Sequence, residues 1–304
     1  MTEKIHGSNF SVYVSKDGSH RFAKRNGFVQ DGEDFFAYEQ MVERDFERIH
    51  ALAMEVHSIK DCERVIIYGE LFGGIYPGAE KQDKKPPQYT IYYGPLKMFS
   101  LFDIACEGGS YLAYEKVVEL AEKHNVMYAK PLFIGEMNKA LTYNHRFSTT
   151  IPAELGLPAP TKMPESNPQN LAEGTVVKPW DVETPFVNRP MVKHKIEEFF
   201  ETDFHSTPSA GGKQYDRYCL STVNRNRIDA AVSKIGDTVL TDTKTDITPL
   251  HTMIMDDIRS EIDFELISDS VIEQLKKKVR TEINTASAMK IKMANDGKVP
   301  KGSY

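Results

Sequence analysis

The sequence predicts an α+β protein: a domain of antiparallel sheets with flanking helices, followed by a small all-helical domain. Three observations carry this. The first two-thirds alternates short period-2 runs with two amphipathic helical stretches. A small-residue segment, His205-Ser-Thr-Pro-Ser-Ala-Gly-Gly212, then interrupts the pattern. Beyond it the apolar spacing is helical throughout. The expected division is residues 1–203, a linker at 204–212, and a helical domain at 213–304. A chain of 304 residues suits two domains, and 40% hydrophobic with 27% charged residues is ordinary for a folded protein. No apolar run is long enough to cross a bilayer, so no membrane partner is expected. The polar start carries no targeting segment, and three scattered cysteines argue against a disulfide framework, so the expected location is cytoplasmic. No protein partner is implied.

Residues 4–15 read as a half-buried strand interrupted at His6-Gly7, with Phe10, Val12 and Val14 on one face. Residues 33–57 carry Phe35, Tyr38, Val42, Phe46, Ile49, Ala53 and Val56 at helical spacing. Arg64–Phe72, Gln88–Tyr93 and Lys97–Cys106 read as strands and Glu115–His124 as a helix. Five prolines between 151 and 170 predict an extended loop. Thr175–Lys178 and Met191–Lys195 read as short strands. In the helical part, Lys213–Ile235 is one helix stopped by Gly236. Thr248-Pro249 caps another, and Ser270-Val-Ile-Glu273 forms a capping box for a long helix through Lys292.

The net charge of −6 speaks against a generally basic nucleic-acid binder. From Phe204 on there are 15 basic and 14 acidic residues, against 23 and 30 before it. Any polyanion site must therefore be a local patch.

Five segments carry chemical potential. Glu3-Lys4-Ile5-His6-Gly7-Ser8-Asn9-Phe10 puts a lysine on a strand beside a glycine turn, and an enclosed lysine among other cations is a candidate nucleophile. Glu70, in Tyr68-Gly-Glu70-Leu-Phe-Gly-Gly, ends a strand with a carboxylate able to accept hydrogen bonds from a ribose. Phe102 sits in an apolar strand and is able to stack on a base. Glu173 and Lys178, five apart, point to opposite faces and to different jobs. Lys193 and Lys195 share one face, and two converging cations suit a phosphate. Taken singly, each also fits a solvated surface or ordinary core.

Their order, Lys-x-x-Gly, Glu, Phe-Asp, Glu-Gly-x-x-x-Lys and Lys-x-Lys, resembles the covalent nucleotidyltransferase superfamily of ligases and capping enzymes. His6, where DNA ligases and capping enzymes have Asp, makes Lys4–Phe10 similar to the RNA ligase 2 family of bacteriophages and trypanosome RNA-editing ligases. Ala23-Lys24-Arg25-Asn26-Gly27, Glu33-Asp34-Phe35-Phe36, and Asn226-Arg227-Ile228 with Ser233-Lys234-Ile235-Gly236 extend the resemblance across nearly the whole chain. The family has Thr where Ser8 stands, and the 151–170 loop has no counterpart there.

The resemblance implies an ATP-grasp-like nucleotidyltransferase fold and an ATP-dependent RNA ligase sealing 3′-OH and 5′-phosphate ends, at nicks in duplex RNA, with Mg2+ or Mn2+. Lys4 would carry AMP. Glu3 and Ile5 would lie against the adenine, Phe102 would stack on it, and Arg25 and Glu70 would hold the ribose. Asn9 and Lys178 would line the nucleotide site. Lys193 and Lys195 would contact the α-phosphate, and Glu173 would assist the metal. His6 would serve the RNA steps, and Arg227 would grip RNA. The competing readings are a DNA ligase, a capping-type enzyme using GTP, and a catalytically silent duplex-RNA-binding module. His6 and the helical domain weigh against the first two, and retention of the Lys4, Glu70, Glu173, Lys193 and Lys195 set weighs against the third.

Overall fold

The structure is a computed structural model. It describes residues 1–83, 85–187, 189–200, 212–236, 238–241, 246–262 and 264–296. The chain divides into two compact units, Met1–Glu198 and Phe199–Tyr304. The expected linker at 204–212 lies outside the described residues except for Gly212, which opens a helix.

The first unit contains β1 (Thr2–Glu3), β2 (Ser8–Ser15), β3 (His20–Lys24), β4 (Gly27–Phe28), α1 (Glu39–Ile59), β5 (Arg64–Ile75), β6 (Gly94–Cys106) and β7 (Ser110–Tyr111). It continues with α2 (Tyr114–Lys123), α3 (Met137–Leu141), α4 (Ile151–Glu154), β8 (Gly174–Val177), β9 (Thr184–Pro185) and β10 (Val192–Lys195). The strands form a seven-stranded sheet, β4-β3-β2-β5-β6-β7-β9, and a three-stranded one, β1-β8-β10. Every ladder among the described residues is antiparallel. The period-2 pattern of β2 holds: Phe10, Val12 and Val14 are fully buried. Helix α1 covers the same sheet with Met41, Ile49, Leu52, Ala53 and Val56.

Local chemistry overrode three readings. The helix expected from residue 33 starts at Glu39, because Phe36 and Ala37 take positive φ and the Asp34 carboxylate accepts the Ala37 N–H. That tight turn buries Phe35 and Phe36 completely. Gln88–Tyr93 is not a strand. The Gln88 side-chain oxygen takes the Thr90 and Ile91 N–H groups, which a ladder would need. Within the proline-rich stretch, Pro152 opens the short α4 rather than forbidding helix. Cys62 and Cys106, distant in sequence, lie with their sulfurs 2.7 Å apart as free thiols.

The second unit contains α5 (Gly212–Ser221), α6 (Arg225–Ile235), α7 (Thr238–Thr241), α8 (Thr248–Glu261) and α9 (Asp269–Asp296). The expected single helix from Lys213 to Ile235 is thus two, broken where Asn224 leaves helical geometry and caps α6 by accepting the Arg227 N–H. Gly236, at φ 95°, ends α6 as expected. Side-chain capping at α8 and α9 falls two residues earlier than expected, on Asp246 and Ser268. Among the described residues no helix is long and apolar enough to cross a membrane.

Candidate active site

Residues 4–7 leave β1 of the small sheet and enter β2 of the large one, so the lysine stands where the two sheets exchange the chain. The Lys4 N–H donates to the Gly174 carbonyl at 2.8 Å. Its ammonium reaches Glu173 Oε2 at 2.5 Å. Two glycines make this approach possible. A Cβ on Gly174, at φ 143°, would collide with the His194 carbonyl of β10. A Cβ on Gly7 would collide with the Leu71 carbonyl of β5. The space Gly7 opens is thus to a neighbouring strand.

Glu173 is nearly fully buried and gathers three partners: Lys4, His6 Nδ1 at 3.4 Å and Lys195 Nζ at 3.4 Å. Burial alone would raise its pKa, but Lys4, His6 and Lys195 together hold the carboxyl well below the usual carboxylate range. Glu70 behaves oppositely. Burial pushes it up to about 7, with Lys4 pulling down, Glu173 pushing up, and Lys193 and the Gly7 N–H pulling down. Asn9 is its cross-strand partner in the β2–β5 ladder. Lys193 keeps contact with solvent, yet desolvation by the site wall, with Lys4 and Arg25 beside it, lowers its pKa. Arg25 projects from the exposed turn between β3 and β4. The cluster therefore sets two carboxylates, Glu70 and Glu173, against four cations, Lys4, Arg25, Lys193 and Lys195. Such a surplus around one buried and one half-buried carboxylate raises the local positive potential and favours an added anion.

Phe102 is placed by a bulge. Tyr68 pairs with Asp103 and Gly69 with Leu101, so Phe102 is the extra residue of β6. Its side chain stays half-exposed between the buried stretches 99–101 and 103–106 of the strand.

The remaining expected residues fall differently. The Glu3 carboxylate is buried and held by the Thr149 hydroxyl at 2.5 Å, the Thr150 N–H at 2.9 Å and the Thr150 hydroxyl at 3.0 Å. Only its backbone remains for a ligand. Ile5 is buried. Lys178, expected in the nucleotide site, points into the protein instead. It donates to the Phe102 carbonyl, pairs with Asp103 at 3.2 Å and lies over the Tyr114 ring. It thereby pins the strand that carries Phe102. Arg189, which no spacing signalled, pairs with the same Asp103. Arg227, expected on RNA, is 1% exposed. Its guanidinium donates to the Thr222 carbonyl, Asp257 and Glu261, so it organises the second unit. Tyr93 was also missed: fully buried, its hydroxyl accepts the His6 N–H at 2.8 Å. A cavity of about 360 Å3, lined by Met1, Phe133, Met137 and Trp180, includes none of the charged cluster.

A family model described as RNA ligase matches residues 1–195. The chain belongs to the RNA ligase family. Among curated relatives of this RNA ligase family member, the mitochondrial RNA-editing ligase 2 of Trypanosoma brucei brucei is 30% identical, covering 97% of this chain and 72% of that protein. The mitochondrial RNA-editing ligase 1 of the same organism is 32% identical over 58% of this chain, which spans 43% of it. Among solved structures, an archaeal ATP-dependent RNA ligase aligns with a TM-score of 0.40 at 15% identity, over 98% of this chain and 60% of that one. A Naegleria gruberi RNA ligase with ATP and Mn aligns at 0.37 and 16% over 60% of this chain, which spans about half that structure, 48%.

Proposed function

We propose that this RNA ligase family member is an ATP-dependent RNA ligase joining 3′-OH and 5′-phosphate ends, at nicks in duplex RNA, through a lysyl-AMP and an RNA-adenylate. The observation that carries the reading is the cation surplus around Glu173 with Lys4 at its centre.

Lys4 Nζ attacks the α-phosphorus of ATP. An N–P bond forms, the bond to pyrophosphate breaks, and the lysine proton leaves to solvent. Lys193 and Lys195, side by side on β10, offset the charge developing on the phosphate oxygens. Phe102 offers a face for the base, Arg25, Glu70 and Asn9 line the ribose side, and Ile5 and the Glu3 carbonyl meet the adenine. An RNA 5′-phosphate oxygen then attacks the AMP phosphorus and frees Lys4. His6, tethered near Glu173, faces that incoming phosphate. Finally the RNA 3′-oxygen attacks the 5′-phosphorus and AMP departs. Little acid–base chemistry is needed, so positioning and electrostatics dominate.

A divalent ion fits this donor set. Mg2+ takes one or two carboxylates and completes its shell with water and substrate phosphate, so a cluster of three protein ligands is not required. Glu173 would hold it. Bound there, Mg2+ or Mn2+ neutralises charge on the triphosphate. A cytoplasmic location belongs to the same reading, resting on free cysteines, which suit a reducing compartment.

The test is incubation with ATP labelled at the α-phosphate, followed by denaturing electrophoresis, with GTP alongside. Label on the protein from ATP and not GTP supports the reading, and its absence sinks it. Matched nicked duplexes with RNA or DNA on each side of the nick then test the substrate.

A further inference from the structure

The nucleophile's own segment belongs to no strand, and its position rests on three N–H anchors. Lys4 donates to the Gly174 carbonyl, Gly7 to the Glu70 carboxylate, and His6 to the Tyr93 hydroxyl. We propose that Tyr93 is a positioning residue for the nucleophile, its buried hydroxyl fixing the His6 backbone and so the stance of Lys4. This rests on the reading of Lys4 as the residue that takes AMP.

The Glu70 anchor changes character as that carboxyl titrates near neutrality. The Tyr93 anchor does not, because burial and the nearby Glu3, Glu173 and Glu70 charges keep the phenol protonated well above its ordinary range. The ring is fixed edge-on against Phe72, with centroids 5.1 Å apart at 89°.

Its mount is rigid for a segment outside any sheet. One residue earlier, Asn170 grips Tyr92 from both sides, accepting its N–H at 2.8 Å and donating to its carbonyl at 2.9 Å. Asn167 donates to the Thr90 carbonyl, and Gln88 gathers the N–H groups of Thr90 and Ile91. Asn167 and Asn170 sit on the same 148–171 loop as Thr149 and Thr150, which hold the Glu3 carboxylate. Glu3, just before the nucleophile, is thus tied to that loop directly, and His6, two residues after it, through Tyr93 and the adjoining Tyr92. Buried side-chain bonds of this kind place a backbone to a fraction of an ångström. Misplacement of a reacting group by about 1 Å costs rate on the order of a hundredfold.

Tyr93→Phe removes one oxygen and keeps the ring. Single-turnover self-adenylation would be followed over a range of ATP concentrations, beside thermal unfolding. The maximal rate is expected to fall ten- to a hundredfold. The ATP concentration for half-maximal rate should stay within about twofold, and unfolding should remain cooperative. Asn170→Ala should lower the maximal rate in the same direction, and the double variant should be little slower than the slower single one. The inference is overturned by an unchanged maximal rate in Tyr93→Phe, by a rise in half-saturation alone, or by additive single effects. If Tyr93→Phe does not fold, Asn170→Ala decides: a wild-type maximal rate rules the inference out, and a lowered one at unchanged half-saturation upholds it. Failure of the underlying reading shows elsewhere, in wild-type protein that takes no label from ATP.

Discussion

Each unit builds an ion-pair cluster around a buried charge, Glu173 in the first and Arg227 in the second, and the two clusters neutralise it in opposite ways. In the first, the buried group is an anion, Glu173, and the cations around it and Glu70 outnumber the carboxylates four to two. In the second, the buried group is a cation, Arg227. It and Lys234 meet Asp257 and Glu261, two against two. A balanced cluster is complete as it stands and serves the fold. An unbalanced one pays a standing repulsion that an incoming phosphate relieves. On the proposed function, the same residue types therefore serve a substrate site in one place and a structural bolt in the other, and the sum of charges distinguishes them.

The sharpest way to break this comparison is Lys4→Arg, which keeps the cluster's charge but removes the proposed nucleophile. Arginine does not deprotonate in proteins, so AMP attachment should disappear entirely while the unfolding temperature stays within a few degrees. Labelled protein from a well-folded Lys4→Arg preparation would refute the assignment.

His6→Ala should act next most strongly, and on one step only. The proposed function assigns the adenylate contacts to other residues, so lysyl-AMP should form at a near-normal rate. Transfer to nicked 5′-phosphate RNA should slow on the order of a hundredfold. Pre-adenylated protein mixed with that RNA, followed by loss of label, separates the steps. Equal effects on both would make His6 a turn residue.

Why these clusters were read unequally from sequence is physical. The strand of Phe10, Val12 and Val14 was legible because one buried face imposes period 2 on the chain. The ordered motifs pointed to Lys4, Glu70, Glu173, Lys193 and Lys195, which the fold does bring into one electrostatic cluster. The burial of Arg227 was not legible because arginine is usually exposed, and nothing local reveals partners 30 and 34 residues away. Tyr93 was hidden in a β-rich run, and its partner is a backbone N–H 87 residues distant. Lys178 was half-legible: alternation separated it from Glu173, and its partner Asp103 lies 75 residues upstream. Pairing across such distances leaves no spacing to read.

Arg227→Leu tests the other half of the comparison. Removing the cation unpairs Glu261, leaves Asp257 with Lys234 alone at 3.8 Å, and deletes the bond to the Thr222 carbonyl. A loss of about 2–4 kcal/mol in stability is expected. Self-adenylation measured well below the unfolding temperature should be unchanged. A variant as stable as wild type but unable to bind nicked RNA would return Arg227 to the RNA surface.

The smallest expected effect separates the two carboxylates of the first unit. Glu173 is held ionised by its cations, whereas Glu70 is pushed up to about 7 by burial. A carboxyl whose folded pKa lies above its unfolded value near 4.5 binds more protons folded than unfolded between those two pH values. Its favourable contribution is therefore full below about pH 4.5 and is lost as pH rises through about 7. Glu70→Gln keeps an oxygen for the Gly7 N–H and removes the titration. The stability of the variant relative to wild type should be lowest in acid, climb through this window and level off above it. Full burial would set the change at about 3 kcal/mol, and partial solvent contact reduces it to about 1–2 kcal/mol. Unfolding temperatures of both proteins at pH 4.5, 6, 7 and 8, without nucleotide, give the difference directly, free of other titrations shared by both. A difference that stays flat across the series would mean that Glu70 is ionised throughout, and the surplus of cations would then act on both carboxylates alike.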